Sequence, residues 1–330
     1  MGRLARFSLR AFFGCLFCLS LSCGVPALAG EKAGLYLEAG TSLYVLERPE
    51  YAPLKAFNFP SDGTFIRIPV SDDKAEGPLA TLTLGLRTDS PFFLELTSRY
   101  FSDSERFHGS HSGSEYGTGY VGYFPLSGNH SARGTNHPTF TDVRTRFSEY
   151  GARLVGGYAI ELGSGMTISP LVGYEVMRMD QDYDMDFWIP AITRLMQLRE
   201  DVDALYHGVL TGVGLRGQWG GYRASLTGTA AGYLVRSGYE GSMTHPAFKD
   251  SVSLVDHTVA AGLELSADLS RSWGPWSAGL NAQVRSLSYV PEIVASRRST
   301  DATLGNGSPV HLTGHRSLGY GLGFKLSYAF

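Results

Sequence analysis

Residues 317–330, at the carboxyl end of the chain, read SLGYGLGFKLSYAF. Every second residue is apolar or aromatic: Leu318, Tyr320, Leu322, Phe324, Leu326, Tyr328 and Phe330. The residues between them are small or polar. Successive side chains of a β-strand point to opposite faces of the sheet. The stretch therefore predicts a strand with one wholly apolar face, and the fold depends on what covers that face.

The same alternation recurs along the chain, and no predicted helix or second layer is available to cover the apolar faces. A content of 41 glycines, 18 phenylalanines and 18 tyrosines indicates many strands and little helix. Comparable segments can be read at about residues 34–46, 79–88, 92–102, 147–162, 166–178, 205–218, 222–235, 255–269, 275–287 and 315–330.

Lipid is the remaining cover for these faces, and strands cross a bilayer only as a closed barrel, which leaves no backbone group unpaired. We therefore predict an all-β fold, a transmembrane antiparallel up-and-down β-barrel of ten strands forming one domain over residues 30–330. The stretches TFIRIPVS (64–71) and YVGYFPLS (120–127) could add two strands, which would raise the count to twelve.

The connections between the predicted strands alternate in length. Short turns fall at residues 89–91, 163–165, 219–221 and 270–274, and long connections at about 47–78, 103–146, 179–204, 236–254 and 288–314. Short periplasmic turns and long extracellular loops are the plan of outer-membrane barrels. Trp219, Trp273 and Trp276 lie at or beside the short turns. We expect them to form an aromatic girdle at the inner membrane interface.

The amino terminus resembles a secretory signal. It has arginines at 3, 6 and 10, an apolar stretch and an Ala-Leu-Ala sequence before Gly30. We predict a signal peptide over residues 1–29. All three cysteines fall within it, so the predicted mature chain has neither disulfides nor thiolate metal ligands. Removing the three arginines takes the formal charge from −3 to −6, which argues against nucleic-acid binding.

The opposite strand faces carry charged residues that would point into the lumen. These residues are Arg87, Glu95, Arg99, Arg153, Glu161, Glu175, Arg216, Arg223, Glu264, Asp268, Arg285 and Lys325. A barrel of ten strands is too narrow for a general diffusion pore. We therefore expect ion pairs that plug a polar interior. Function then moves to the outer side of the barrel.

The last strand resembles the assembly signal of Gram-negative outer-membrane proteins, since its alternating apolar positions end at Tyr328 and Phe330. The resemblance covers the whole predicted mature chain in plan, although its specific motif covers only this strand. It implies export to the outer membrane of a Gram-negative bacterium. The implied partners are the outer-membrane assembly machinery, lipid and lipopolysaccharide.

One acidic stretch, RMDQDYDMDFW (178–188), has aspartates at every second position: Asp180, Asp182, Asp184 and Asp186. This aspartate comb matches the first three ligand positions of an EF-hand loop. Met185 replaces the turn glycine, however, and Ala191 stands where the bidentate glutamate belongs. No cofactor is predicted, apart from a looser site at the outer rim that shares a divalent cation with lipopolysaccharide phosphates.

Ten strands and about 300 mature residues are also similar to the omptins, outer-membrane endopeptidases that activate a water between an acidic pair and an Asp-His pair. Asp180-Gln181-Asp182 looks like the acidic pair of that family, although it follows the fifth strand instead of lying in the second outer loop. The resemblance implies Asp180, Asp182 and His245 as catalytic candidates. The aspartate expected two residues before the histidine is Met243, and Asp256-His257 are adjacent.

Strand parity predicts the direction of the comb. Glu175 points inward, so the even-numbered aspartates face outward unless a bulge after Met177 reverses them. This direction favours an acidic outer rim over a catalytic pair, and the nine histidines all map to the outer side. We predict a surface barrel whose extracellular loops bind a ligand or mediate adhesion. An omptin-like endopeptidase and a narrow solute channel are the alternatives.

Overall fold

The computed structural model describes residues 34–57, 65–128, 133–163, 165–190, 194–296 and 309–330. The predicted signal peptide, with all three cysteines, lies outside the described residues, and so do His130 and Ala191. No helix in the described part of the chain has the length and hydropathy of a membrane-crossing segment.

The described residues form β-strands and one 3-10 turn, Gly113–Tyr116. In chain order the strands are β1 (Gly34–Glu47), β2 (Leu54–Phe57), β3 (Phe65–Ile68), β4 (Lys74–Arg87), β5 (Phe92–His111), β6 (Tyr120–Tyr123), β7 (Arg133–Thr135), β8 (Thr139–Tyr158), β9 (Ile160–Gly163), β10 (Met166–Ile189), β11 (Arg194–Trp219), β12 (Tyr222–His245), β13 (Phe248–Trp273), β14 (Trp276–Val294) and β15 (His311–Ala329).

Ten wall strands close an antiparallel barrel, in the order β1, β4, β5, β8, β10, β11, β12, β13, β14 and β15, with β15 pairing back onto β1. The short β9 continues the wall below β8. This topology confirms the predicted all-β barrel of ten strands. The two stretches that could have raised the count to twelve contribute β3 and β6 to a separate four-stranded inner sheet, in the order β3-β2-β6-β7.

An apolar belt surrounds the lower part of the barrel. Leu322 and Phe324 expose 65% and 69% of their surfaces on the outer face, which is where lipid would lie. The three tryptophans are exposed beside the short turns, and the Trp276 ring contacts Tyr328 with centroids 4.8 Å apart. In the turn after Trp219, two glycines adopt the positive φ angles that a two-residue hairpin requires.

Two of the five segments predicted as long loops, 179–204 and 236–254, are continuations of the wall strands, and the ends of the other three are as well. β10 and β11 run to the connection at residues 190–193, and β12 and β13 are joined by a two-residue turn. The prediction was wrong because the side-chain pattern inverts beyond the lipid. There the inner face is apolar, as at Met179 and Met185, whereas the outer face carries Asp180 and Arg178. Strand ends assigned from an apolar outer face therefore fall at the membrane boundary.

The outer part of the barrel is filled by its own hydrophobic core. The inner sheet lies within the wall, and the two share a buried cluster that includes Leu54, Ile68, Val121, Tyr123, Met185, Phe187, Leu198, Met243 and Ile293. A second buried cluster lies nearer the membrane and includes Tyr44, Phe101, Phe147, Met177 and Tyr206. These layers fill the described outer interior with side chains.

Charged side chains form a compact network inside the wall at membrane level. It consists of Arg99, Arg153, Arg285, Glu149, Glu175 and Glu264, which are linked by salt bridges. The Arg153–Glu264 contact is 2.6 Å and the Arg285–Glu149 contact is 2.9 Å. Equal numbers of opposite charges balance one another, as the predicted lumen ion pairs require.

Two residues differ from the predicted lumen set. Glu149 belongs to the network although it was not singled out, and strand parity from Arg153 would have identified it. Glu161, which was predicted to face inward, is exposed. The wall strand is interrupted at Ala159, and the β9–β10 ladder shifts register between Met166 and Thr167, so the alternation does not carry through.

Glu175 is the carboxylate on which the network converges. It contacts three arginines and accepts a 2.6 Å hydrogen bond from the Tyr233 hydroxyl. Glu175→Ala leaves buried cations uncompensated and should lower the free energy of unfolding by about 3–5 kcal/mol. Asp186→Ala, at a half-buried position on the outer face of the same strand, should change it by less than about 0.5 kcal/mol. Urea unfolding in detergent micelles measures both, and equal losses would contradict a network role.

Candidate functional site

The aspartate comb lies on the outer face of β10, beyond the apolar belt. The residues that alternate with its members, Gln181, Tyr183, Met185 and Phe187, are buried inside. The ladders from β10 to β8 and to β11 run without a register shift from Leu171 to Trp188, so no bulge follows Met177. The structure therefore shows the comb facing outward, as strand parity predicted.

Cross-strand pairing extends the comb into a block of carboxylates. Asp180 lies opposite Asp203 on β11, and Asp182 lies opposite Asp201, which is itself opposite Glu240 on β12. Side chains at directly opposite positions have Cβ atoms about 4.5–5.5 Å apart. We call these five residues the acidic block. Asp201, Asp203 and Glu240 were not singled out from sequence because register, and not spacing along the chain, brings them beside the comb.

Arginines compensate only part of this charge. Arg178 lies 2.8 Å from Asp180 and 3.9 Å from Asp203. No described cation forms an ion pair with Asp182, Asp201 or Glu240. The pKa of the Asp201 carboxyl is raised by burial and by the neighbouring carboxylates of Asp182 and Glu240. Arg146 on β8 stands opposite Asp182, and Arg199 lies two residues before Asp201 on β11. The five carboxylates of the block outnumber these arginines and Arg178, so the block keeps a net negative charge that would attract cationic groups.

The metal candidates Asp180, Asp182, Asp184 and Asp186 do not converge on one point. Within the described residues, no group of three His, Cys, Asp or Glu side chains could hold a metal ion. Same-face residues two apart on a strand are separated by about 6.6 Å. The comb therefore presents its carboxylates in a line along the strand, instead of around a common centre.

The structure does not bring the catalytic candidates together. His245 is buried on the inner side of the β12–β13 turn, where its ring stacks on Phe248 and its Nδ1 accepts a 3.1 Å hydrogen bond from the Ala247 N–H. Asp180 and Asp182 lie on the outer face of the wall. His207 faces outward and contacts the Tyr174 hydroxyl at 3.1 Å. The wall thus separates the acidic pair from His245.

A basic and aromatic row separates the acidic block from the apolar belt. In register across the wall, Tyr150 is followed by Arg178, Leu205, Arg236 and His257. Arginines at this height suit the phosphates of a membrane surface, and tyrosine is typical of the interface. From the membrane outward, the β10 face is apolar, then basic at Arg178, then acidic along the comb, with Arg144, Arg146 and Arg199 on the neighbouring strands.

Glu200 is a buried carboxyl behind the acidic block. The hydroxyls of Tyr51 and Tyr239 donate to it, each at 2.5 Å, and burial raises its pKa. Tyr51 lies in the segment before the inner sheet, and Tyr239 lies on β12. The carboxyl therefore links the segment before the inner sheet to the wall strands β11 and β12. Sequence reasoning missed it because its partners are far away in the chain.

The closed ladder, apolar belt, aromatic girdle and balanced lumen charges are those of an outer-membrane β-barrel. No family model matches the sequence, and no curated protein matches it.

Solved structures with a similar barrel include the outer membrane protease OmpT from Escherichia coli, at 9% identity and a TM-score of 0.48, covering 93% of this chain and 99% of that chain. Neisserial surface protein A has 11% identity and a TM-score of 0.30, with coverage of 91% and 100%. The translocator domain of autotransporter NalP from Neisseria meningitidis has 13% identity and a TM-score of 0.37, with coverage of 98% and 96%. These likenesses concern the barrel fold alone.

The comb contains a matched pair of positions for testing the block. On the β11 side, Asp182 faces the carboxylate Asp201, whereas Asp184 faces Arg199 at 3.6 Å. On the β8 side each faces an arginine, Arg146 or Arg144, so the β11 partner distinguishes the two positions. Asp182→Asn should raise the free energy of unfolding at neutral pH by about 0.5 kcal/mol, because opposed like charges destabilise a strand pair. Asp184→Asn should lower it slightly. Urea unfolding of both variants in detergent distinguishes the two effects, and identical shifts would contradict the predicted repulsion.

The same pair predicts a pH dependence. Because the pKa of Asp201 is raised in the fold, the folded protein binds this proton more tightly than the unfolded chain. Its contribution to stability is therefore fully present below about the ordinary value of 3.8 and is lost as pH rises through the raised value. Asp182→Asn should flatten this decline, whereas Asp184→Asn should preserve it.

Proposed function

We propose that this protein is a non-enzymatic surface-binding barrel of the Gram-negative outer membrane, whose outer wall binds a cationic partner. One observation carries the proposal: Asp182, Asp201 and Glu240 form a row of three carboxylates, and no described cation lies within ion-pair distance of them. Arg146 on β8 stands opposite Asp182 at one end of the row, which leaves the row with a net negative charge. Like charges on adjacent strands lower stability. A cationic ligand that neutralises these carboxylates would remove their mutual repulsion, and this gain would favour binding.

The filled interior supports a role at the wall and not in the lumen. The apolar clusters above the ion-pair network fill much of the described outer interior, which favours a plugged barrel over the narrow-channel alternative. The same filling holds the wall rigid, so the carboxylates are fixed before a partner arrives. Preorganised groups lose little conformational entropy on binding. The binding surface of this proposal is therefore the outer strand face, and not the flexible loops predicted from sequence.

The lower edge of this surface suits lipopolysaccharide. Arg178 and Arg236 would contact its phosphates, and divalent cations shared with those phosphates would bridge to the aspartate comb. Export through the cleaved signal peptide and insertion by the assembly machinery through Tyr328 and Phe330 belong to the same proposal. The Phe330 N–H donates to the Leu35 carbonyl at 2.9 Å, which ties the end of the chain to β1.

Binding of a fluorescent lysine-rich peptide to the barrel in lipid nanodiscs tests the proposed function. Asp182→Asn combined with Glu240→Gln should weaken binding at least about fivefold at low ionic strength, and added salt should reduce the difference. The control removes two carboxylates that already have arginine partners, through Asp142→Asn with Asp184→Asn. Equal losses in both variants, or no binding by the wild type, would overturn the proposal.

The omptin-like alternative has its own test. Outer membranes carrying the wild type or the double Asp180→Ala, Asp182→Ala variant are incubated with basic peptides. We expect no cleavage by either, because the wall separates these aspartates from His245. Cleavage by the wild type that the double variant abolishes would establish the endopeptidase instead. Cleavage by both would place an active site elsewhere.

A further inference from the structure

The barrel wall opens between β13 and β14 beyond the membrane. The two strands pair from Trp273 and Trp276 up to Gly262 and Leu287, and no pairing between them continues above that point. β13 itself goes on to Phe248, paired on its other side with β12 through the whole length. The outer part of β13 is therefore an edge strand of the wall, although the barrel is closed at membrane level.

A β-bulge causes the opening. Leu287 pairs with Ser317 and Val290 with His315, so Ser288 and Tyr289 stand opposite a single residue of β15. A bulge bends its strand. Beyond it, β14 turns into the barrel: the Tyr289 carbonyl accepts a 3.1 Å hydrogen bond from the Tyr206 hydroxyl, and the Pro291 carbonyl accepts one of 3.0 Å from Gln181. The wall fastens this strand inside, away from β13.

The backbone groups at the edge can be assigned from two hydrogen bonds. The Ala261 N–H donates to Ser288 Oγ on the β14 side at 2.8 Å, whereas the Ser272 N–H donates to Gly221 on the β12 side at 3.0 Å. Backbone groups of successive strand residues point to opposite sides, and the β12–β13 ladder has no register shift. Odd-numbered residues of outer β13 therefore direct their N–H and C=O groups into the opening.

Most of these groups have no partner among the described residues. The His257 N–H is occupied by the Asp256 carboxylate at 2.8 Å. No described hydrogen bond involves the backbone N–H groups of the other odd-numbered residues, which are Lys249, Ser251, Ser253, Val255 and Val259. Proteins usually protect such an edge with proline, a bulge or charged side chains. Charged residues flank the central stretch from Ser251 to Val255: Asp250 accepts a 2.9 Å hydrogen bond from the Ser127 N–H, and Asp256 holds the His257 N–H. The five residues between them include no proline, bulge or charged side chain.

Another free edge of the outer wall, along β5, differs in this respect. Beyond Phe101, β5 no longer pairs with β4, but this stretch carries Glu105 and Arg106. Glu105 bonds Arg48 at 2.8 Å, and Arg106 bonds Asp142. Charged side chains held in place along a strand hinder the approach of another strand. The β13 edge is therefore better suited than the β5 edge to pair with an added strand.

We propose that outer β13 is a docking site for an extended polypeptide segment rich in lysine or arginine, which adds to the wall as a further strand. The inference rests on the proposed binding function and assigns a partner class to it. Recognition through main-chain hydrogen bonds gives affinity, and side chains at alternate positions give specificity. The free N–H and C=O groups of the edge supply the main-chain hydrogen bonds, and the neighbouring carboxylates Glu240 and Asp256 supply the specificity.

Charge complementarity selects a basic partner. Ser253 lies opposite Glu240, which continues the row through Asp201 to Asp182. An added strand would lie two strand spacings from Glu240, or about 9.6 Å. Serine is too small to block that distance, so a lysine or arginine side chain opposite Ser253 can reach over it to Glu240. On the inner face of the same edge, Asp256 is exposed to the incoming strand.

Residue-resolved amide exchange on the full-length barrel in lipid nanodiscs tests the edge directly. In the free protein, the N–H groups of Ser251, Ser253 and Val255 should exchange fast, and those of Val252 and Leu254 slowly. An octapeptide alternating lysine and valine should protect the three fast amides at least about tenfold. The octapeptide alternating glutamate and valine should not protect them. Binding of the lysine peptide without this protection would overturn the inference.

Ser253→Pro removes one N–H from the opening and leaves the ladder to β12 intact, because proline is tolerated on the free side of an edge strand. It should weaken binding of the lysine–valine peptide about tenfold, whereas Ser253→Ala, which keeps the N–H, should not. Retained heat-modifiable migration on gels shows that both variants fold. Unchanged affinity of the folded proline variant counts against the edge.

The two proposals fail in different ways. If Asp182→Asn with Glu240→Gln weakens binding but Ser253→Pro does not, the acidic block binds the peptide and the edge inference is overturned. If only Ser253→Pro weakens binding, strand addition stands, while the charge preference and the proposed function are overturned. If neither variant changes binding of the lysine–valine peptide, both proposals are overturned.

Discussion

A strand that crosses lipid must pair every backbone N–H and C=O within the protein, because hydrocarbon offers no alternative partner. This constraint closes the ladder from β1 to β15 and keeps the register free of shifts across most of the belt. It also forces the charged residues of the strands to face one another inside, where Arg99, Arg153 and Arg285 meet three glutamates. Outside the membrane, water can hydrogen-bond to backbone groups, and it is there that the wall opens along β13.

The change of surroundings explains what could be predicted from sequence. Within lipid, an apolar outer face marks each strand, so the barrel and the strand number could be predicted. Outside lipid the protein behaves as a soluble one, with Met185 and Phe187 inside and aspartates outside. Polar and apolar residues still alternate there, but the apolar residues now face inward and the polar residues face outward. A search for the lipid pattern therefore predicted loops where strands continue.

Other features of the candidate site depend on register and could not be predicted. The direction of the comb followed from Glu175, since parity is a property of one strand. The row from Asp182 to Glu240 needs the alignment of three strands, and the opening beside β13 depends on a bulge of two residues. Such a bulge has no strong sequence signature. The partners of Glu200 likewise come from segments about 149 and 39 residues away.

The filling of the outer barrel has a consequence for the order in which the molecule assembles. The core cluster joins Leu54, near the start of the described chain, to Ile293 and Val310, near its end. Contacts between such distant segments form late, because a long loop must close before they gain anything. The inner sheet can therefore be secured only after the last hairpin is in place. A correctly packed inner sheet would then be present only in molecules whose barrel has closed.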